Sequence, residues 1–145
     1  MIAVRVQAEP FDLASEATAL TARRTDIGAL VTFTGLVRDH ALTLEHYPGM
    51  TERQLRNVAD EAATRWPILG GTVIHRFGDL APGDPIVLVA VVASHRAAAF
   101  DAASFLMDWL KIRAPFWKRA GDTWVEAKSS DEDAAACWER LPKPA

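Results

Sequence analysis

Cysteine occurs once in this 145-residue chain, at Cys137, so no internal disulfide can form and no thiol pair exists for a structural zinc cluster. Among the apolar residues 134–138, with no adjacent base, that thiol reads as packing rather than as a sulfur carrier. The apolar opening Met1-Ile2-Ala3-Val4-Arg5-Val6 is cut off by Gln7, Glu9 and Pro10, too soon for a secretion-signal core or a membrane span. A cytoplasmic protein without membrane contact is therefore expected. Charge of one sign is also lacking: 16 Lys and Arg face 19 Asp and Glu, for a net charge of −3. No global field draws such a chain to nucleic acid, and any anion it binds must be held locally. His40, His46, His75 and His95 make no HExxH or HxxxH pair, and GxSxG, Walker and GxGxxG patterns are absent. Both facts argue against metal and nucleotide sites. There are no internal repeats, linkers or low-complexity stretches. At this length, and with a 50% hydrophobic composition, one domain over residues 1–145 is expected.

Periodicity then orders the chain. Residues 1–6 alternate as a strand, and Asp12 is placed to cap a helix carrying Leu13, Ala17 and Leu20 on one face. Residues 27–33 are rich in β-formers and 42–46 alternate with a period of two, giving two strands joined by a loop that holds Arg38. After Pro48-Gly49, Thr51 and Gln54 have capping-box spacing. Leu55, Val58, Ala59, Ala62 and Trp66 follow as a helical apolar stripe that Pro67 ends. Residues 72–77 form a further strand before the turn 81–85, and the unbroken apolar run 85–93 is a central strand covered on both faces. Ser94 is placed to cap a long helix to about Arg113, with Ala99, Ala103, Leu106 and Leu110 buried and Pro115 forbidding continuation. Residues 116–119 and 123–126 are short strands about the turn Ala120-Gly121-Asp122, and Asp131 starts a last short helix. Without a strict βαβ rhythm, the fold class is α+β with a mixed, mostly antiparallel sheet.

Three clusters could carry chemistry. Residues 111–119 hold Lys111, Arg113, Lys118 and Arg119 and no acid, in an otherwise acidic protein. A solvated helix end accounts for Arg113 and Arg119 as well as a site does, since cations favour a helix C-terminus. Lys111 and Lys118 differ, because Pro115, Phe116 and Trp117 would hold their amines beside an apolar wall that lowers a lysine pKa toward acid–base use. Ser94-His95-Arg96 stands at a helix start past the end of the central strand, where backbone N–H groups, a guanidinium and an imidazole suit a phosphate. A surface His-Arg pair accounts for that cluster about as well. Gly35 and Arg38 make a weaker third element, a close backbone approach beside an anion clamp. Fifteen helical steps separate Arg96 from Lys111, on the order of 22 Å, more than one small substrate spans. Either the clusters serve different ends, or a second copy brings His95 and Arg96 to the lysines of its mate. A two-fold dimer with shared sites is the favoured arrangement.

These residues resemble the MoaE family, the large subunits of molybdopterin synthase, over nearly the whole chain. The blocks that carry the resemblance are Val31-Thr32-Phe33-Thr34-Gly35 with Val37-Arg38, Leu44-Glu45-His46-Tyr47-Pro48-Gly49-Met50, Val73-Ile74-His75-Arg76 with Gly78, Pro82-Gly83-Asp84, Ser94-His95-Arg96, and residues 111–118. The resemblance implies an α/β-hammerhead type of fold and a homodimer at the centre of a heterotetramer. It also implies a small ubiquitin-like sulfur-carrier subunit whose Gly-Gly tail ends in a thiocarboxylate. The implied substrate is cyclic pyranopterin monophosphate, which receives two sulfur atoms at adjacent side-chain carbons; no cofactor is implied. Carried over by position, Lys111 and Lys118 are the catalytic pair, Val37, Arg38, His95, Arg96 and Arg119 bind substrate, and Phe33 and Met107 line the throat for the tail. Departures from the family pattern are the single Ala41 between Arg38-Asp39-His40 and Leu42, where relatives have a longer polar loop, a short turn at 120–122, and Leu36 where a basic residue is common. Two other readings fit the same cations: a non-enzymatic module docking an acidic tail, and a different phosphoester enzyme.

Overall fold

The computed structural model describes residues 1–113, 116–120 and 123–125. In chain order the elements are β1 (Ile2–Gln7), α1 (Leu13–Thr21), β2 (Ala29–Leu36), β3 (Leu42–His46), α2 (Met50–Arg65), β4 (Ile68–Arg76), β5 (Gly78–Leu80), β6 (Pro85–Ala93), α3 (Arg96–Arg113), β7 (Phe116–Ala120) and β8 (Thr123–Val125). The strands divide into two four-stranded sheets, ordered β1-β4-β6-β2 and β5-β3-β7-β8. Among the described residues only β1 and β4 run parallel, and every other pair is antiparallel. The α+β class and the mixed, mostly antiparallel pairing expected from the sequence hold. The division into two sheets was not foreseen.

The apolar run 85–93 is β6, flanked on both sides in the first sheet and buried along its length from Val87 onward. Strand alternation splits it between two layers. Val87, Val89 and Val91 meet Leu55, Val58, Ala59 and Ala62 of α2 and Ala102, Phe105, Leu106 and Trp109 of α3 in the main core. Leu88, Ala90 and Val92 face the other way, as does Arg5 of β1, which pairs with Glu16 of α1. Each large side chain so buried contributes about 1.5–3 kcal/mol, which is why the helical stripes of α2 and α3 agree with the sequence reading. A smaller core of Val37, Leu44 and Leu80, with Phe77, Ile86 and Phe116 packed on it, joins the second sheet to the first.

Local details depart from expectation where polar groups had a choice of partner. Helix α2 starts on Gly49, whose N–H donates to Glu52 at 2.7 Å, while the Thr51 hydroxyl accepts from Tyr47 N–H instead of capping with Gln54. Asp12 precedes α1 without capping it, because its carboxylate takes the Ser15 hydroxyl. The Ser94 hydroxyl spends its hydrogen on the Asp26 carbonyl, and α3 begins two residues later, at Arg96. Strand β4 begins at Ile68, before the expected residue 72, and runs through Gly70-Gly71. A Cβ on Gly71 would lie 2.7 Å from the Ala90 carbonyl oxygen, so the absence of a side chain there is what lets the strand pack. No helix among the described residues is long and apolar enough to cross a membrane. The expected turn at 121–122, the Pro115 corner, Cys137 and the last helix lie outside the described residues.

Candidate functional site

The register of β7 decides which cations act together. Phe116 pairs with His46 and Lys118 with the fully buried Leu44, so alternation turns Phe116 and Lys118 toward the first sheet. Trp117 and Arg119, paired with Glu45 and Thr43, face the other side. The cationic segment thus splits: Lys118 lies half-buried on the inner face, Arg119 is on the outer face, and Lys111 is exposed on the last turn of α3. The two lysines stand on consecutive elements either side of the α3–β7 connection.

Across the first sheet, the register aligns Val6, His75, Val87 and Gly35 in one row and Val4, Val73, Val89 and Phe33 in the next, all on the face that α2 and α3 cover. Phe33 is on this face but at the edge strand, 42% exposed, so it is not a core residue. Met107 is half-buried against the main core. Gly35 does not leave room for a ligand, because a Cβ there would meet the Val87 methyl at 2.8 Å and the Phe33 ring at 3.5 Å. The absent side chain is filled from within.

His75 is the group on this face that sequence reasoning passed over. Its imidazole is 9% exposed and lies flat on Phe116, with centroids 3.8 Å apart and planes 18° from parallel. His46 is tilted against Phe116 with centroids 6.5 Å apart, and itself stacks on Phe77 at 4.0 Å. Nδ1 of His75 lies 2.9 Å from the Arg76 carbonyl oxygen. That oxygen can only accept, so Nδ1 carries the hydrogen and Nε2 keeps its lone pair. Burial, aided by the Lys118 charge and opposed by the Arg76 carbonyl, pushes the imidazole down to about 4. The ring is neutral at physiological pH. Next to it, Arg76 is 7% exposed and donates to the Ala8 carbonyl from Nε (3.1 Å) and Nη2 (3.0 Å), and to the Pro85 carbonyl from Nη1 (2.9 Å). It ties together the ends of three elements. The signal for His75 was present in the sequence as a histidine inside a strand, but without the register nothing linked it to Lys118.

The other predicted anion binders lie elsewhere. Ser94, His95 and Arg96 are exposed at the start of α3, where the His95 carbonyl accepts the first helical bond, from Ala99 N–H. Gly28 supports this turn: its N–H donates to the Ala93 carbonyl at 3.0 Å, and a Cβ would fall 2.1 Å from the Ser94 oxygen. Arg96 and Lys111 occupy opposite ends of one unbroken helix, so the separation on the order of 22 Å stands. Arg38 is 80% exposed, beside Asp39 at 3.7 Å, in the short β2–β3 connection where Asp39 takes φ 67°. Val37 is buried, its N–H held by the Asp84 carbonyl and its carbonyl by Gly83 N–H. Its side chain packs with Leu44 and Leu80, under Arg38 rather than beside it. The surface of the described residues carries shallow depressions. One, of about 360 Å³, is lined by Glu45, His46, Tyr47 and Trp117 on the second sheet; another, of about 460 Å³, runs along α1 from Ala14 to Ala22 and has no ionisable lining.

Comparison with known proteins agrees with this architecture. The family model described as MoaE protein matches residues 6–113. Molybdopterin synthase catalytic subunits are similar throughout. That of Escherichia coli K12 is 55% identical, over 90% of this chain and 93% of its own length. That of Mesorhizobium japonicum is 53% identical, over 93% and 92%. The solved structure of the molybdopterin biosynthesis MoaE protein from Burkholderia ambifaria superposes with a TM-score of 0.86 at 50% identity, over 97% of this chain and 100% of that one. This chain belongs to the MoaE protein family.

Proposed function

We propose that the chain is the catalytic subunit of a molybdopterin synthase, acting in the cytoplasm. It takes sulfur from the thiocarboxylated Gly-Gly tail of a small ubiquitin-like subunit and installs it on cyclic pyranopterin monophosphate to form the dithiolene. The observation that carries this reading is the placement of Lys118 on the inner face of β7, half-buried beside a neutral, apolar wall, within a chain at least half identical to molybdopterin synthase catalytic subunits. The thiocarboxylate sulfur bonds to a side-chain carbon of the pterin as a carbon–oxygen bond at that carbon breaks, the oxygen leaving on the opening phosphate or, protonated, as water. The tail is thereby joined to the substrate as a thioester, and a second tail repeats the step at the adjacent carbon. Water then attacks the acyl carbon, the acyl carbon–sulfur bond breaks, the tail leaves as a carboxylate and the sulfur stays on the product. Lys118 and Lys111 relay protons as the cyclic phosphate opens, and their charge stabilises the oxyanion of the hydrolytic step. Phe33 and Met107 line the apolar approach of the tail.

Arg38, His95 and Arg96 hold the phosphate and pterin, and Val37 fixes the backbone under Arg38. The length of α3 places His95 and Arg96 too far from Lys111 for one chain to complete a site, so the proposal includes a homodimer in which each site draws on both copies, with one small subunit per site. Arg119, on the outer face, contributes to binding only through a partner or the second copy. The test is Lys118→Ala in the reconstituted complex with thiocarboxylated partner and substrate. Dithiolene formation should fall by on the order of a hundredfold or more while the complex elutes intact. Undiminished turnover would remove Lys118 from the mechanism, and loss of the complex alone would favour a docking role for the cationic segment.

A further inference from the structure

We propose that His75 is a positioning residue for Lys118, holding the amine in its working orientation through a neutral imidazole that accepts a hydrogen bond from it. The inference rests on the reading of Lys118 given above and assigns a role to a residue from the other sheet.

Three features of the geometry carry it. The first is a mechanical tie. Strand β7 takes its backbone partners from the second sheet, β3 and β8, and the flat His75–Phe116 stack joins its inner face to β4 of the first. Lys118 is two residues on from Phe116 and on the same face, so the stack sets where the lysine stem leaves the strand. The second is the tautomer. With the Nδ1 hydrogen given to the Arg76 carbonyl, the remaining ring nitrogen can only accept, and an ammonium can only donate. The third is charge. Among the described residues the titratable or charged groups about the ring are Lys118 from β7, His46 from β3 in tilted contact with Phe116, and Arg76 along β4, whose guanidinium is committed to Ala8 and Pro85. Burial and the Lys118 charge keep the ring uncharged through the neutral range. A carboxylate in its place would clamp the ammonium as a cation, and an imidazolium would repel it; a neutral acceptor orients the amine while favouring its charged form only modestly.

His75→Phe retains the ring stack and removes the acceptor, and it is tested in the reconstituted complex. The expected result is a kcat lower by on the order of tenfold, the scale of a lost hydrogen bond to a charged group, with KM for the pterin unchanged. The basic limb of the kcat–pH profile should also move to lower pH, because the ammonium loses a stabilising acceptor. His75→Gln, which restores an acceptor without the stack, should recover the position of that limb. In a Lys118→Ala background, His75→Phe should cause no further loss, since it acts through the lysine. If Lys118→Ala cripples turnover while His75→Phe leaves kcat and the pH profile as they were, or if the two losses multiply independently, the positioning role is overturned and the Lys118 reading survives. If Lys118→Ala has no effect, the functional reading itself fails.

Discussion

At the scale of single residues, the pair His75-Arg76 shows two ways of keeping a polar side chain inside. Arg76 stays charged and meets carbonyl oxygens at three of its nitrogens, whereas His75 gives up its charge. Replacing Arg76 with Met would leave the Ala8 and Pro85 carbonyls without these donors. The expected cost is about 2–3 kcal/mol in denaturant unfolding. His75 makes a separate prediction in pH. Its folded value, about 4, lies below the 6.5 of the exposed group, so between those values the unfolded chain binds a proton that the folded chain refuses. Stability from this source is complete above the unfolded value and is lost as pH falls toward about 4, by roughly 3 kcal/mol in all. Asp26 acts in the same sense but at lower pH: its carboxyl, lowered by its hydrogen bond with Arg24, gives up its contribution only as pH falls through its ordinary 3.8 and below. Unfolding at about pH 7 and about pH 4.5 therefore isolates the histidine, and His75→Phe should flatten the difference between the two. A slope that persists in that variant would place its origin elsewhere.

Elements were legible in the sequence wherever burial is periodic. The stripes of α2 and α3 and the unbroken run of β6 could be read because each is dictated by one apolar layer. What could not be read was register. Lys118 and Arg119 are neighbours in one cationic segment, yet a strand sends them to opposite faces, and only the pairing of Lys118 with Leu44 says which face is inner. For the same reason His75 looked like one histidine among four until Phe116 was laid across it. The strand expected from residue 72 begins earlier, with Gly71 inside β4, and the close approach expected at Gly35 is filled by Val87 and Phe33. Gly28 has an element-scale consequence. Its missing side chain admits the Ser94 carbonyl, which sets the turn from β6 into α3 that carries His95 and Arg96. Because the collision is with backbone, Gly28→Ala cannot be relieved by a rotamer change. It should lower stability by about 2 kcal/mol, with thermal unfolding as the measure. On the proposed function it should also raise KM for the phosphorylated substrate more than it lowers kcat, whereas an equal fall in both kcat and kcat/KM would dissociate the turn from substrate binding.

For the whole molecule, the length of α3 sets the argument. Eighteen residues of unbroken helix hold Arg96 at one end and Lys111 near the other, and a packed helix cannot fold back to bring them together. If the anion-binding end and the lysine end serve one reaction, two chains must share each site. That makes a quantitative prediction from symmetry. A variant lacking His95 and Arg96 (His95→Ala, Arg96→Ala) and a variant lacking Lys118 (Lys118→Ala) should each be nearly inactive alone. When equal amounts are unfolded and refolded together with the small subunit, half the dimers combine one of each. In those mixed dimers one site gathers both defects and the other is free of them, so about a quarter of wild-type turnover should return. A site contained within a single chain gives no such recovery, since every copy then carries one defect or the other. The His75 variant refines the experiment: paired with the His95 and Arg96 variant it should complement as Lys118→Ala does, because β4 and β7 of one chain supply the same half of the site.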